Sequence, residues 1–251
     1  METQNAQQET DVLPASEADT ALVREMMSAG LMYGHKSSKT HPKFKQYVSA
    51  NRNGIEIIDL FQTISYLNEA ADFLNKKIKE GGKILIVATQ PAARNSMEEF
   101  AQKFGFSFIN DRWVGGLLTN FKIISSRIEY FKKIQSGLGK GEFEKYTKKE
   151  RIMISRNIER MKKMFTGLEN LNKLPDVIFM IDLSIKGHQT AIREAKIVNV
   201  PIVSILDSDD NPELVAYPIP ANDHSKSSIE WIIKKIEERL MAIEKPPVAS
   251  D

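Results

Sequence analysis

The hydrophobic positions of this chain switch repeatedly between two periods. Short, nearly continuous apolar runs stand at Ile55–Ile58, Lys83–Ala88, Phe106–Ile109, Asp176–Asp182 and Pro201–Leu206. Such runs are expected of strands in a parallel sheet covered on both faces. Between them, apolar residues recur three or four apart, as on one face of a helix. Leu22, Met26 and Ala29 mark a helix over residues 17–29, with Gly30 suited to the left-handed position after its end. Ile64, Leu67, Ala71, Leu74 and Ile78 mark the next, which Asp59 can cap and Gly81-Gly82 can end. Thr89-Gln90-Pro91 opens a third, buried through Met97, Phe100, Ala101 and Phe104 and closed by Gly105. Later stripes run through Ala191, Ile192, Ala195 and Val198, and through Ile229, Ile232, Ile236 and Leu240. Asn51-Arg52-Asn53-Gly54 reads as a tight turn before the first strand. Strand and helix alternate, so the expected fold is α/β with an open, mostly parallel sheet.

The alternation stops at Arg112–Phe121 and resumes after Leu174-Pro175. In between, Phe121, Ile124, Ile128 and Phe131 are spaced three, four, three, and Ile154, Ile158, Met161, Phe165 and Leu168 step four, three, four, three. A heptad-like seam on both segments predicts an inserted hairpin of two antiparallel coiled-coil helices. Gly137-Leu138-Gly139-Lys140-Gly141 reads as its tip, and Thr147-Lys148-Lys149-Glu150 as a capping box. A second helix of some two dozen residues would reach ~35 Å. The expected organisation is a disordered polar tail over 1–16, a discontinuous α/β domain over 17–121 and 174–243, a hairpin insertion over 122–173, and a short flexible tail over 244–251.

Composition changes this picture where charge is uneven. At 251 residues, one large domain plus an insertion can bury a core without staples. No cysteine is present, which excludes disulfides, thiolate metal sites and cysteine nucleophiles. No run approaches the ~18 apolar residues of a membrane span, and the polar start lacks the layout of a signal or transit peptide. Net charge is only +2, yet residues 122–173 hold fourteen Lys and Arg against six Glu, or +8, leaving −6 for the rest. Lys122, Arg127, Lys132, Lys133, Lys148, Lys149, Arg151, Arg156, Arg160, Lys162 and Lys163 crowd the outer helix faces. A solvated face is the plain explanation. The excess is too lopsided for i,i+4 pairing, and like charges so close destabilise without a partner, so a polyanion is expected. A second basic segment, Gly34–Tyr47, holds Lys36, Lys39, Lys43 and Lys45, two histidines and no acid, and Pro42 with its Ser/Thr neighbours argues for a loop. Lysines interleaved with Phe44 and Tyr47 suit phosphate contact and stacking; alternatively the two aromatics turn to the core.

Candidate chemistry is sparse. No strand is followed by a phosphate-binding glycine motif. Asp182, Asp207, Asp209 and Asp210 stand after later strands, where α/β enzymes place ligands, and could hold magnesium. Equally, they satisfy turn and cap amides, with Pro212 in a first helical turn. No nucleophile, arginine clamp or base completes a catalytic site, so turns and caps are the expectation. His35 and His41 have no carboxylate or cysteine nearby in the sequence, so neither a metal nor a cofactor is expected.

Arg52-Asn53-Gly54-Ile55-Glu56-Ile57-Ile58-Asp59-Leu60 and Arg112-Trp113-Val114-Gly115-Gly116-Leu117-Leu118-Thr119-Asn120-Phe121 look like two signatures of one family. Leu174-Pro175-Asp176, the Ala191–Ala195 helix, and Tyr217-Pro218-Ile219-Pro220 with Asn222-Asp223 complete a collinear match over roughly residues 20–240. On these residues the chain resembles the small-subunit ribosomal protein S-two family in its bacterial or organellar form. Two departures are visible: His41-Pro42-Lys43-Phe44 replaces the usual Asn-Pro-Lys-Met, and Ala221 replaces a usual glycine. The resemblance implies a Rossmann-like three-layer α/β/α domain carrying the coiled-coil hairpin. It implies a non-enzymatic part of the small ribosomal subunit in the cytoplasm, bound to 16S-type ribosomal RNA between head and body and supporting assembly. Partners would be neighbouring small-subunit proteins, including the large mRNA-binding protein S-one, with no membrane and no small-molecule substrate. RNA contacts are expected at Lys36, Lys39, His41, Lys43, Lys45 and Arg52 on the loop and its turn. Arg112, Asn120 and Lys122 would act where the hairpin leaves the body, and Arg127, Lys132, Lys133, Lys148, Lys149, Arg156, Arg160, Lys162 and Lys163 along it. Trp113 is expected as a core anchor rather than a stacking platform. The rivals are a phosphate-processing enzyme built on the aspartates and a scaffold whose acidic body binds a protein while the arm binds RNA.

Overall fold

The computed structural model describes residues 17–139 and 146–241. The tails expected at either end, and the glycine tip beyond Gly139, lie outside the described residues. The elements run α1 (Glu17–Ala29), β1 (Tyr33–Lys36), two 3-10 turns (Ser37–Lys39 and Pro42–Tyr47), β2 (Val48–Arg52), β3 (Ile55–Ile58), α2 (Leu60–Lys79), β4 (Ile84–Val87), α3 (Arg94–Phe104) and β5 (Ser107–Ile109). There follow α4 (Phe121–Gly139), α5 (Lys148–Phe165), β6 (Val177–Ile181), α6 (Lys186–Val198), β7 (Ile202–Leu206), β8 (Tyr217–Pro220) and α7 (Lys226–Met241).

Five strands make one parallel sheet in the order β5-β4-β6-β7-β8. Strand side chains alternate between faces, and here both faces are apolar. Ile84 and Ile86 of β4 join one buried cluster with Val177, Phe179 and Ile181 of β6; Leu85 and Val87 join a second with Ile178 and Met180. Helices α2, α3 and α7 close the first face through Leu67, Phe100 and Ile232. Helices α6, α4 and α5 supply Ala191, Ile128 and Phe165 to the second. Strand β8, absent from the sequence expectation, pairs with β7 alone. An edge strand loses little by lacking amide donors, so Pro218 and Pro220 are tolerated there. Among the described residues, no helix is long and apolar enough to cross a membrane.

Ile55–Ile58 does not join the parallel sheet, contrary to the alternation reading. It is the central strand of a separate antiparallel sheet ordered β1-β3-β2. Asn53 (φ +52°) and Gly54 (φ +79°) turn β2 straight back onto β3, so the hydrogen-bonding edges of β3 are taken by its hairpin partner and by β1. Burial carries the same message: Glu56 and Ile58 are buried but Ile55 is exposed, whereas every residue of β4 is buried. Four residues are too few for periodicity to separate these cases. The Gly34–Tyr47 segment is likewise not all loop, since it contains β1 and both 3-10 turns. Helix α3 starts at Arg94 rather than at Pro91, because Ala93 and Arg94 amides both donate to Gln90 O in a preceding turn.

Asp59 caps α2 as expected, its Oδ1 accepting from Phe61 N at 3.0 Å and Gln62 N at 3.4 Å. The Thr147–Glu150 capping box also forms: Thr147 N donates to Glu150 Oε2 at 2.9 Å and Glu150 N donates to Thr147 Oγ1 at 3.4 Å. Helix α4 includes Gly137 and Gly139, so these two glycines lie in the helix rather than in the expected tip. Helix α5 has 18 residues, ~27 Å of helix rather than ~35 Å. It gives way to a 3-10 turn, Thr166–Leu168, where the chain presses on β5. A side chain at Gly167 would meet Phe108 O at 2.2 Å, so only glycine permits that approach. The apolar seam is buried at Ile124, Ile128 and Phe131 on α4 and at Ile158, Met161 and Phe165 on α5, with the Phe131 and Phe165 rings 6.2 Å apart.

Candidate nucleic-acid interface

The turn that leads into the basic helix α4 is built on a buried carboxylate. Along α6, Ala191, Glu194, Ala195 and Val198 are spaced i, i+3, i+4 and i+7, which places an acid within an apolar stripe. Glu194 is 6% exposed, and burying an ionised carboxylate is tolerated only when its oxygens are supplied with donors. Oε1 accepts from Trp113 Nε1 at 3.0 Å and Gly116 N at 2.8 Å. Oε2 accepts from Leu118 N at 3.0 Å and Thr119 N at 3.4 Å. The Arg112–Phe121 stretch thus wraps one carboxylate, with the Trp113 ring buried and not offered to a base. Sequence reasoning placed Trp113 in the core and overlooked Glu194, although an acid in an apolar stripe was a usable signal.

From this turn α4 departs, Asn120 O accepting from Ile123 N at 3.1 Å and Ile124 N at 3.2 Å. The side chains of Arg112, Asn120 and Lys122 stand exposed around it. Lys122, Arg127, Lys132 and Lys133 on α4 face one acid, Glu129; Lys148, Lys149, Arg151, Arg156, Arg160, Lys162 and Lys163 on α5 face Glu150 and Glu159. All eleven cations are exposed. Among the described residues none of them pairs with a carboxylate, while Glu150 is occupied by its own cap. Lys162 and Lys163 also line a cleft of about 260 Å³ with Asn110, Asp111 and Phe108, where the arm meets β5.

On the loop, Lys36, Lys39, Lys43, Lys45 and Arg52 are exposed and His41 is half-buried. Lys43 Nζ lies 2.7 Å from Glu213 Oε1 in a solvated pair that salt would screen. His41 Nδ1 accepts from Lys43 N at 3.2 Å and caps the 3-10 turn beginning at Pro42. An asparagine oxygen could do the same, so this departure from the family pattern keeps the capping chemistry. Phe44 is 0% and Tyr47 4% exposed, which decides between their two readings for the core and against stacking. Both are bound into the cluster that holds Trp113, Leu117, Ile124 and Phe131, so loop and arm base rest on one core. Ala221 is buried at an ordinary φ and needs no left-handed turn.

The aspartates do serve turns. Asp182 Oδ1 accepts from Ser184 N at 2.8 Å and Ser184 Oγ at 2.7 Å, and Asp210 Oδ2 accepts from Leu183 N at 3.2 Å. The tertiary fold adds what their spacing did not reveal. Asp182, Asp207 and Asp210 are nearly fully buried, together with Asp223, which the sequence did not single out for chemistry. His35 lies among them, its Nδ1 3.2 Å from Asp207 Oδ2 and 3.4 Å from Asp209 Oδ1, so the reason for dismissing it holds only along the sequence. Burial, helped by the neighbouring Asp182 charge, pushes the Asp210 carboxyl up to about 7. The same two causes push Asp223 well above the usual carboxylate range. The Asp207 carboxylate beside His35 raises that imidazole. His188, fully enclosed, is pushed down by burial; its Nε2 lies 2.8 Å from Thr89 Oγ1 and its Nδ1 contacts Asp182 O.

Comparison with known proteins now decides the family. The family model for Ribosomal protein S2 matches residues 26–242. The chain belongs to the ribosomal protein S2 family. It is 40% identical over 220 residues to the Small ribosomal subunit protein uS2 of Dictyoglomus thermophilum, spanning 88% of this chain and 89% of that one. It is 38% identical over 222 residues to the protein of the same name from Dehalococcoides mccartyi, spanning 88% and 90%. The Small ribosomal subunit protein uS2c of Cyanophora paradoxa is 38% identical over 217 residues, spanning 86% and 92%. The S2 family is one of structural proteins, not enzymes, and the phosphate-processing alternative falls with that. In this S2 chain, the Arg112–Phe121 stretch and the Ala191–Ala195 helix that carried the resemblance are one physical unit, joined at Glu194.

Proposed function

We propose that this S2 protein is a structural constituent of the small ribosomal subunit that holds 16S-type ribosomal RNA between head and body. In this reading α4 and α5 form an antiparallel coiled-coil arm whose outer cations grip backbone phosphates by shape and charge. Arg112, Asn120 and Lys122 set the angle at which the arm meets the RNA, and the loop cations Lys36, Lys39, Lys43, Lys45 and Arg52, with His41, add a second patch. The body, with a net negative remainder, faces neighbouring proteins and takes part in recruiting the mRNA-binding protein S-one in the cytoplasm.

The observation that carries the reading is the set of eleven exposed arm cations with no acidic partner among the described residues, set on a base anchored by Glu194. Like charges are held so close only where a polyanion relieves them. The test replaces Lys132, Lys133, Lys162 and Lys163 with Glu and follows co-sedimentation with small subunits. The expected result is loss of association, and for the wild type a logarithmic affinity that falls by ~0.7–0.9 per phosphate contact with the logarithm of salt. Unchanged association of the quadruple variant overturns the arm's role.

A further inference from the structure

We infer that the histidine–aspartate cluster where β1 meets the carboxyl ends of β6, β7 and β8 is a site for a first-row divalent transition metal, best matched by zinc, that pins the basic loop to the parallel sheet. This assignment does not depend on the RNA reading. One ligand atom each from His35, Asp207 and His224 lie within 4.8 Å of one another, and so do atoms from Asp182, Asp223 and His224. His224 Nδ1 is 2.6 Å from Asp223 Oδ1, and the His35 and His224 rings meet edge-on with centroids 4.9 Å apart.

Three observations point to a cation. First, His35 Nδ1 and Asp207 Oδ2 face each other at 3.2 Å, with Asp209 Oδ1 3.4 Å from the same nitrogen. Ligands ~2.0–2.2 Å from a tetrahedral metal stand about 3.3–3.6 Å apart, so these atoms need shift by only about 0.1 Å to share one ion. Second, Asp223 is 1% exposed, yet its Oδ2 is fully enclosed without a hydrogen-bond partner. A buried carboxylate oxygen without a donor is expensive, and a metal ion is one group that relieves it. Third, Asp182, Asp207, Asp209, Asp210 and Asp223 crowd together, and among the described residues no lysine or arginine pairs with any of them. Two imidazoles with carboxylates and no thiolate suit zinc and its neighbours better than magnesium or calcium, which prefer all-oxygen shells.

The surroundings are built to bring His35 in. A side chain on Gly34 would stand 2.9 Å from Ser208 Oγ and 3.1 Å from Asp207 Oδ1, so glycine is what lets β1 approach. His35 N donates to Ser208 Oγ at 2.7 Å, and His41 N donates to Ser208 O at 2.8 Å. Lys36 to Lys45 lie on or beside the segment between these two anchors, so an ion bridging His35 to Asp207 would stiffen the loop that carries them.

The test titrates zinc into tag-free, full-length protein stripped with a chelator, followed by calorimetry and thermal unfolding. The expected result is one saturable equivalent that raises Tm, weakened at least tenfold in His35→Ala and in His224→Ala, and retained in His41→Ala. His224 has a half-exposed side chain, so its variant keeps the fold, and far-UV circular dichroism checks this. Absence of saturable binding, or binding that both variants retain, overturns the site. Magnesium binding that ignores both histidine variants, with no zinc uptake, overturns the choice of metal. Failure of this test leaves co-sedimentation of the arm unaffected, so the two proposals stand or fall apart.

Discussion

Glu194 and Asp223 are both carboxylates almost closed off from water, at 6% and 1% exposure, and their surroundings treat them in opposite ways. Glu194 meets four donors, one from an indole and three from the backbone, and no other acid hydrogen-bonds into that shell. Asp223 meets a histidine on one oxygen, nothing on the other, and four further aspartates around it. A buried charge with its donors in place holds structure together. A buried carboxyl without them asks for something the chain does not supply. The difference separates a centre that fixes the turn before α4 from the site proposed to call for a cation.

The contrast is broken or sharpened by removing each carboxylate in turn. Glu194→Ala should destabilise the protein most, by about 3 kcal/mol or more in urea unfolding, since it orphans several donors at once. A loss under about 1 kcal/mol would show that the turn is held by packing alone. Trp113→Phe removes one donor and keeps the ring's bulk, so a loss of about 1–2 kcal/mol is expected. Asp223→Asn should behave differently. In the presence of chelator, stability should change by less than about 1 kcal/mol, because a neutral amide replaces a carboxyl whose ionised form burial and its acidic neighbours already disfavour. The stabilisation by added zinc should vanish in the same variant. A loss of several kcal/mol in chelator would make Asp223 a second Glu194 and erase the distinction.

Much of the fold was legible because local chemistry and tertiary environment agree. Helix ends at Gly30, Asp59 and Thr147 stand where caps and left-handed residues predicted them. The seam residues Ile124, Ile128 and Phe131 on α4 and Ile158, Met161 and Phe165 on α5 are buried, while Phe121 and Ile154 are half-buried. Strands fared worse where they were short. β3 has four residues and cannot show whether its other face meets a helix or water, and β8 is disguised by Pro218 and Pro220. In the site, exposure of the arm and loop cations followed from charge density, while the inward turn of Phe44 and Tyr47 did not, since an aromatic between lysines fits either place. The metal reading of His35 was set aside on sequence neighbours, and the relevant neighbours lie as far off as Ser208, 173 positions away.

The sequence by itself determined the periodic elements, their caps, the basic helices α4 and α5 and membership of a family, because these rest on contacts within a turn or two of chain. Only the tertiary structure decided which sheet β3 joins, which carboxylate holds the turn before α4, and which acids gather around His35. Those outcomes depend on desolvation and on donors brought from distant segments, and neither exists until the layers have packed.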